Sequence, residues 1–157
     1  FVLRGSQLPE PLPRIPVDQR PYGNEQEVQK DLDDVDVLYF PLPFGREYDP
    51  FTKHSMSTKL VTYLGTGLPI VYHGPAYSAA AQLLADADAA LIIDSTDPSD
   101  VATGLRDAHS RRIELVANAQ RLAREKFWLA DQRHRLWSAL GVRTSPFRYA
   151  PSPSLSD

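Results

Sequence analysis

The chain has 157 residues, one domain's worth, and its 42% hydrophobic and 24% charged residues are ordinary for a globular protein with a normal core. Seventeen Lys and Arg against 20 acids give a net charge of -3, which argues against general duplex nucleic-acid binding. The absence of cysteine excludes disulfide frameworks, thiolate metal sites and Cys nucleophiles.

Phe1 to Gly5 reads as a short strand ending at a glycine, and the opening at Phe1 reads as the start of a piece of something longer. No signal peptide is visible, and no run approaches the ~18 apolar residues that span a bilayer. Pro9, Pro11, Pro13, Pro16 and Pro21 crowd the next connection, so Ser6 to Pro13 is loop and Arg14 to Asp18 only a weak strand. Asn24 to Val35 has the marks of a helix, with Asn24 as N-cap and Glu27 completing a capping box. Asp36 to Phe40 is a nearly continuous apolar strand.

Pro41 to Lys53 is expected to be a loop of working length, followed by a helix from Ser55 to Thr66 stopped by Gly67 and Pro69. Pro69 to His73 is a strand, Tyr77 to Ala87 an alanine-rich helix, and Ala89 to Asp94 another strand. Helices then start near Ser99 and cover Ser110 to Phe127 and Ala130 to Leu140, with Trp128, Trp137, Phe127 and Leu136 anchoring the last of them on the core. Residues 1–141 form the domain and 142–157 an extended or mobile tail. The alternation predicts an α/β fold: a doubly wound, mostly parallel sheet of about five strands, Rossmann-like, closed by C-terminal helices.

In such a sheet, ligands bind outside the carboxyl ends of the strands. The helix after Ser55 would present free amides and a positive dipole end there. On one continuous helix Ser55, Lys59 and Thr62 share a polar stripe, with Thr58 beside them. A cation with hydroxyls at a helix N-terminus suits phosphate and ribose; the alternative is a solvated lysine and a capping serine. His54 and His73 stand at the same edge, as base or sugar ligand on one reading and hydrogen-bonded structural residues on the other, which suits His73 better. No His, Asp or Glu grouping has metal-ligand spacing, so no metal is expected. The acidic run Glu25 to Asp36 and the cation excess from Arg106 to Arg135 are expected to be solvated helix faces.

The run Thr58 to Val71 (TKLVTYLGTGLPIV) resembles the "TKLxEYLAxGxPVV" segment of group-one glycosyltransferases with the GT-B fold. Asp36 to Pro41 is similar to their "aDVllxP" strand, Ala89 to Pro98 to "GllvdxxDpeala", and Asn118 to Phe127 to "NARrlarExF". The resemblance runs in order from Val2 to Leu140. It implies most of a C-terminal, nucleotide-sugar-binding domain, without that domain's first strand and helix or the N-terminal acceptor domain. It also implies a cytoplasmic location, with a peripheral place at the inner membrane as an alternative.

Carried over residue by residue, the donor would be held by Ser55, Thr58, Lys59 and Thr62, with His54 beside them, Tyr22 and Gly23 near the base, and Gly74 letting backbone amides approach the diphosphate or the sugar. One departure is sharp. Many retaining members place two acids where this chain has His54 and Thr62. A neutral threonine would bind ribose hydroxyls more weakly than a carboxylate. The sequence thus supports sugar transfer by the full-length protein and none by this chain alone, with no cofactor or metal; the competing reading is a non-catalytic domain used for partner binding.

Overall fold

The computed structural model describes residues 1–5 and 16–141. The Ser6 to Pro13 loop, the start of the Arg14 to Asp18 strand and the tail from residue 142 lie outside the described residues. Strands β1 (Val2–Arg4) and β2 (Asp18–Arg20) pair in parallel, Val2 opposite Asp18 and Arg4 opposite Arg20. β3 (Leu38–Pro41), β4 (Ile70–His73) and β5 (Leu91–Ile93) form a second parallel sheet in that order, with Tyr72 opposite both Phe40 and Ile92.

The expected single sheet of about five strands is therefore corrected to one of two strands and one of three. Alternation of strands and helices predicts parallel crossovers, but not which strands become hydrogen-bonded neighbours. β1 and β2 are three residues each and bury none of them, so they bring little apolar surface with which to join the larger sheet.

Helix α1 (Glu25–Asp33) begins as its sequence requires. The Asn24 side chain accepts the Glu27 amide at 3.0 Å while the Glu27 carboxylate accepts the Asn24 amide at 2.8 Å. From α1, Asp31 reaches back to the smaller sheet, where it is gripped by Arg4 and Arg20, the last residues of β1 and β2. The Arg4 guanidinium also donates to the Pro21 carbonyl at 2.7 Å, so one carboxylate and two cations tie both strands and the loop to α1.

The expected helix from Ser55 to Thr66 is in fact two, α2 (Asp49–His54) and α3 (Thr58–Gly65). Ser55 caps α2 with ψ 137° and Ser57 precedes α3 with ψ 130°, both extended, so the backbone leaves the helix between them. The expected loop from Pro41 is correspondingly shorter: a 3-10 turn at Arg46–Tyr48 runs into α2. Proline in the first turn of a helix sacrifices only an amide that has no helical partner, which is how Pro50 serves α2.

The remaining helices are α4 (Ala79–Asp86), capped by Ser78, α5 (Pro98–Ser110), capped by Asp97, α6 (Arg112–Phe127) and α7 (Leu129–Ala139). Alternation along β4 divides the core. Ile70 and Tyr72 pack on one face with Leu38, Phe40, Leu60, Leu64, Leu84 and Leu122, beneath α3, α4 and α6. Val71 faces the other way, toward Ile93, Ala108 and Leu115, beneath α5 and the start of α6. Helices thus cover both faces of the three-stranded sheet, the doubly wound arrangement that the sequence predicts.

The last helix departs from expectation. Trp128, Leu136 and Trp137 are 58, 56 and 38% exposed, and no residue of α7 is buried. Of the four expected anchors only Phe127, on α6, packs against the core. The reason is that α6 already supplies Leu115, Ala119 and Leu122, which leaves α7 no core surface to close.

Candidate functional site at the carboxyl edge of the larger sheet

Three connections leave the carboxyl ends of β3, β4 and β5, and the ladder continues one step into the first two. The Leu42 amide donates to the His73 carbonyl at 2.8 Å and the Gly74 amide to the Ile93 carbonyl at 3.0 Å. His73 lies in the middle of this edge. Its Nε2 meets the Ser95 carbonyl at 2.7 Å, a pure acceptor, so Nε2 carries the proton. Nδ1 is then the acceptor for the Tyr39 hydroxyl. The Phe44 ring stands edge-on at 5.3 Å. Both ring nitrogens are committed, so His73 ties the three connections together as a hydrogen-bonded structural residue. Burial raises the Tyr39 hydroxyl above its ordinary pKa, which keeps it a donor.

A second group joins α2 to the turn before α4. The Asp49 carboxylate accepts Lys53 Nζ at 2.8 Å on one oxygen and the Tyr77 hydroxyl on the other, with Lys53 5.2 Å above the Tyr77 ring. Hydrogen bonding from Lys53, then from Tyr77, lowers the Asp49 pKa, and donation to Asp49 raises that of Tyr77. Sequence reasoning missed Asp49 and Lys53 because it left Pro41 to Lys53 without structure, and Tyr77 because it meets them only through the fold. For α2 the signal was present, since an acid followed by proline, Asp49-Pro50, commonly opens a helix.

Thr58, Lys59 and Thr62 share α3 and are all exposed, whereas Ser55 stands outside it as the C-cap of α2, its amide bonded to the Phe51 carbonyl at 2.8 Å. The predicted stripe thus loses its i to i+4 link from Ser55 to Lys59. His54, exposed, ends α2, so it stands with Ser55 in the link between the two helices. Ser57 occupies the N-cap of α3 without a side-chain cap bond, which leaves the first-turn amides with no side-chain acceptor.

Gly74 is buried. A Cβ there would lie 2.8 Å from the Tyr72 hydroxyl and 3.0 Å from Leu42, and its amide is already spent on Ile93. It serves close packing at this edge. Tyr22, 80% exposed, and Gly23 belong to the smaller sheet, on the loop from β2 into α1.

A groove of about 360 Å3 lies elsewhere, between β5 and α5. Asp94, Asp100 and Asp107 line it, a field that repels a diphosphate, so its volume does not make it the anion site. Among the described residues no group of His, Asp and Glu could hold a metal ion, and no helix is long and apolar enough to cross a membrane. No protein-family model, curated protein or solved structure matches the chain.

Proposed function

We propose that the chain is the donor-binding domain of a glycosyltransferase that moves a sugar from a nucleotide-sugar to an acceptor hydroxyl. One observation carries the reading: the uncapped N-terminus of α3, at the carboxyl edge of a parallel sheet, beginning with Thr58 and Lys59. First-turn amides and a positive dipole end suit the diphosphate of such a donor, and Lys59 would add a full charge. In the reaction the bond from the anomeric carbon to the diphosphate oxygen breaks, a bond to the acceptor oxygen forms, and the acceptor's hydroxyl proton is released, to the leaving diphosphate or to water. The negative charge that develops on the leaving diphosphate is met by helix and lysine without a metal. Thr62, the neighbour of Lys59 three residues on, would supply a hydroxyl to the ribose.

Sugar transfer needs a second domain to hold the acceptor. Proximity contributes roughly 7–11 kcal/mol only when the reacting atoms are held near contact. The isolated chain is therefore expected to bind and not to turn over.

Titration calorimetry of the chain with uridine, guanosine and adenosine diphosphates tests the reading. Saturable binding of one of them at millimolar concentration or below is expected. Binding of none would favour the competing reading, a non-catalytic domain that keeps the fold for partner binding. The non-acidic His54 and Thr62, where many retaining enzymes have acids, speak for that alternative.

A further inference from the structure

We propose that Asp49, held in place by Tyr77 and Lys53, reads the sugar of the nucleotide-sugar by accepting hydrogen bonds from its hydroxyls. This rests on the donor-site reading and extends it to the part of the ligand that the start of α3 does not meet.

A site that selects one sugar needs a few fixed polar groups still open to the ligand's hydroxyls. Most of the polar groups at the carboxyl edge of the larger sheet are already spent. Both ring nitrogens of His73 are committed, and the hydroxyls of Tyr72 and Ser78 are buried in their own network. Asp49 differs. Each of its oxygens holds one donor, Lys53 on one and Tyr77 on the other. An ionised carboxylate accepts about four hydrogen bonds, so two positions remain. The side chain is 25% exposed, which leaves those positions within reach of a ligand. The Tyr77 oxygen, having given its hydrogen to Asp49, can still accept from a further hydroxyl.

The two donors also fix what the carboxylate can read. Lys53 approaches from the next turn of α2 and Tyr77 from the turn before α4, so the carboxylate is oriented from two separate connections. Hydrogen bonds from Lys53, then from Tyr77, keep it ionised. Hydroxyls on adjacent ring carbons of a hexose are spaced to meet the two oxygens of one carboxylate, and bonds to a charged acceptor are about twice as strong as neutral ones. A site built on such bonds discriminates sharply against a sugar that lacks or inverts one hydroxyl, because its polar group is then left unpaired. Folding gives the group little reason to exist, since Lys53 and Tyr77 are both exposed and exposed ion pairs contribute little to stability.

Its place suits the role. Helix α2 has 6 residues, so Asp49 lies about 9 Å from the link that leads into Thr58 and Lys59. A diphosphate seated at the start of α3 carries its sugar over a comparable span. Donation to Asp49 is the strongest influence on the Tyr77 hydroxyl, and the charge of Asp94, just beyond the end of β5, reaches it too. The group therefore stands over the sheet edge where the donor-site reading puts the ligand.

Titration calorimetry of the chain tests the proposal by setting each bare nucleoside diphosphate against a sugar conjugate. The pairs are uridine diphosphate and its glucose conjugate, guanosine diphosphate and its mannose conjugate, and adenosine diphosphate and its glucose conjugate. Asp49→Asn, which keeps the shape and loses the charge, should lower the affinity of the conjugate that binds roughly ten- to a hundredfold and leave that of the bare diphosphate unchanged. Tyr77→Phe, which keeps the charge but removes one of its two holders, should weaken the conjugate selectively by a smaller factor. Neither residue belongs to the core, so both variants should melt with the parent. Should Asp49→Asn melt lower, Tyr77→Phe decides alone, by selective loss or its absence.

Unchanged affinity for the conjugate overturns the proposal. So does an equal loss for conjugate and bare diphosphate, the result that a merely loosened α2 would give, and so does binding of a bare diphosphate with no conjugate bound. In all three cases the bare diphosphate still binds the parent chain and the donor-site reading stands. Binding of neither overturns both.

Discussion

The Tyr72 hydroxyl and the Ser78 Oγ stand 2.6 Å apart, both wholly buried, under the turn that joins β4 to α4. The Tyr72 O–H donates to the Pro75 carbonyl at 2.9 Å, so the Ser78 hydroxyl must donate to the Tyr72 oxygen. Ser78 in turn accepts the Ala81 amide at 2.9 Å and so caps α4. One phenol thereby fixes the strand end, the turn and the helix start. Tyr72→Phe leaves the Ser78 hydroxyl hydrogen unpaired in the core and the Pro75 carbonyl with the Ser78 amide alone, at 3.1 Å, and should cost about 1–3 kcal/mol in urea unfolding. The double variant Tyr72→Phe/Ser78→Ala should lose less than the sum of the two single changes, because they break one network.

Two glycines in helices should respond oppositely to alanine. A Cβ on Gly104 would stand 2.8 Å from Leu91 Cδ2 and 3.0 Å from Ile93 Cγ1, where α5 lies on β5. Crowding of about 1–3 kcal/mol there should outweigh the roughly 1 kcal/mol gained in helix propensity, and lower the melting temperature. Nothing lies within 4 Å of the Cβ position on Gly65, at the end of α3. There the propensity gain should appear as stabilisation of about 0.5–1 kcal/mol. Calorimetric melts of the two variants decide both expectations.

Asp31 makes stability depend on acid. Hydrogen bonds from Arg4, then from Arg20, hold its carboxyl down to about 2, against an ordinary value of 3.8. A carboxyl whose folded pKa is depressed contributes stability that is fully present above its unfolded value and is lost as the pH falls through the folded one. The group's contribution should therefore decline from about pH 4 to about pH 2. Asp31→Asn, which cannot ionise, should melt lower than the parent at neutral pH, and the gap between the two should close across that window. A gap that stays constant through the acid range would show that the clamp is not electrostatic.

Lys59→Ala tests the anion site at the start of α3. Hydrogen bonds to charged groups contribute about 1.5–3 kcal/mol, so the affinity for the bound nucleoside diphosphate should fall roughly ten- to a hundredfold. Lys59 is exposed, and the melting behaviour should change by no more than about 0.5 kcal/mol. Unchanged affinity would leave Lys59 a solvated surface residue.

The readable parts of this chain are those in which local chemistry decides the outcome. Asn24 and Glu27 specify their capping box within four residues, and the apolar runs around Ile70 and Ile92 can only be buried strands. Where the decision depends on neighbours distant in sequence, the pattern is silent. The chain from Ser55 to Thr66 has helical periodicity throughout, and only the backbone of Ser55 and Ser57 breaks it. The tryptophans of α7 have the composition of core residues, but α6 fills the space first. At the candidate site Lys59, Thr58 and Thr62 were legible as helix-terminal chemistry. Asp49 and Tyr77, 28 residues apart, meet only through the fold.

The division into two sheets also sets how the molecule exchanges its amide protons with solvent. β1 and β2 share three residue pairs and bury no residue, so they can part without exposing core. Ile70, Val71 and Tyr72 are wholly buried between two strands, and their amides reach water only when the three-stranded sheet comes apart. Opening energies span from near zero at surface elements to the full unfolding energy in a core. Deuterium should therefore enter β1 and β2 by local opening and β4 only by global unfolding. A denaturant too weak to unfold the chain should quicken the first less than the second, since local opening exposes little new surface.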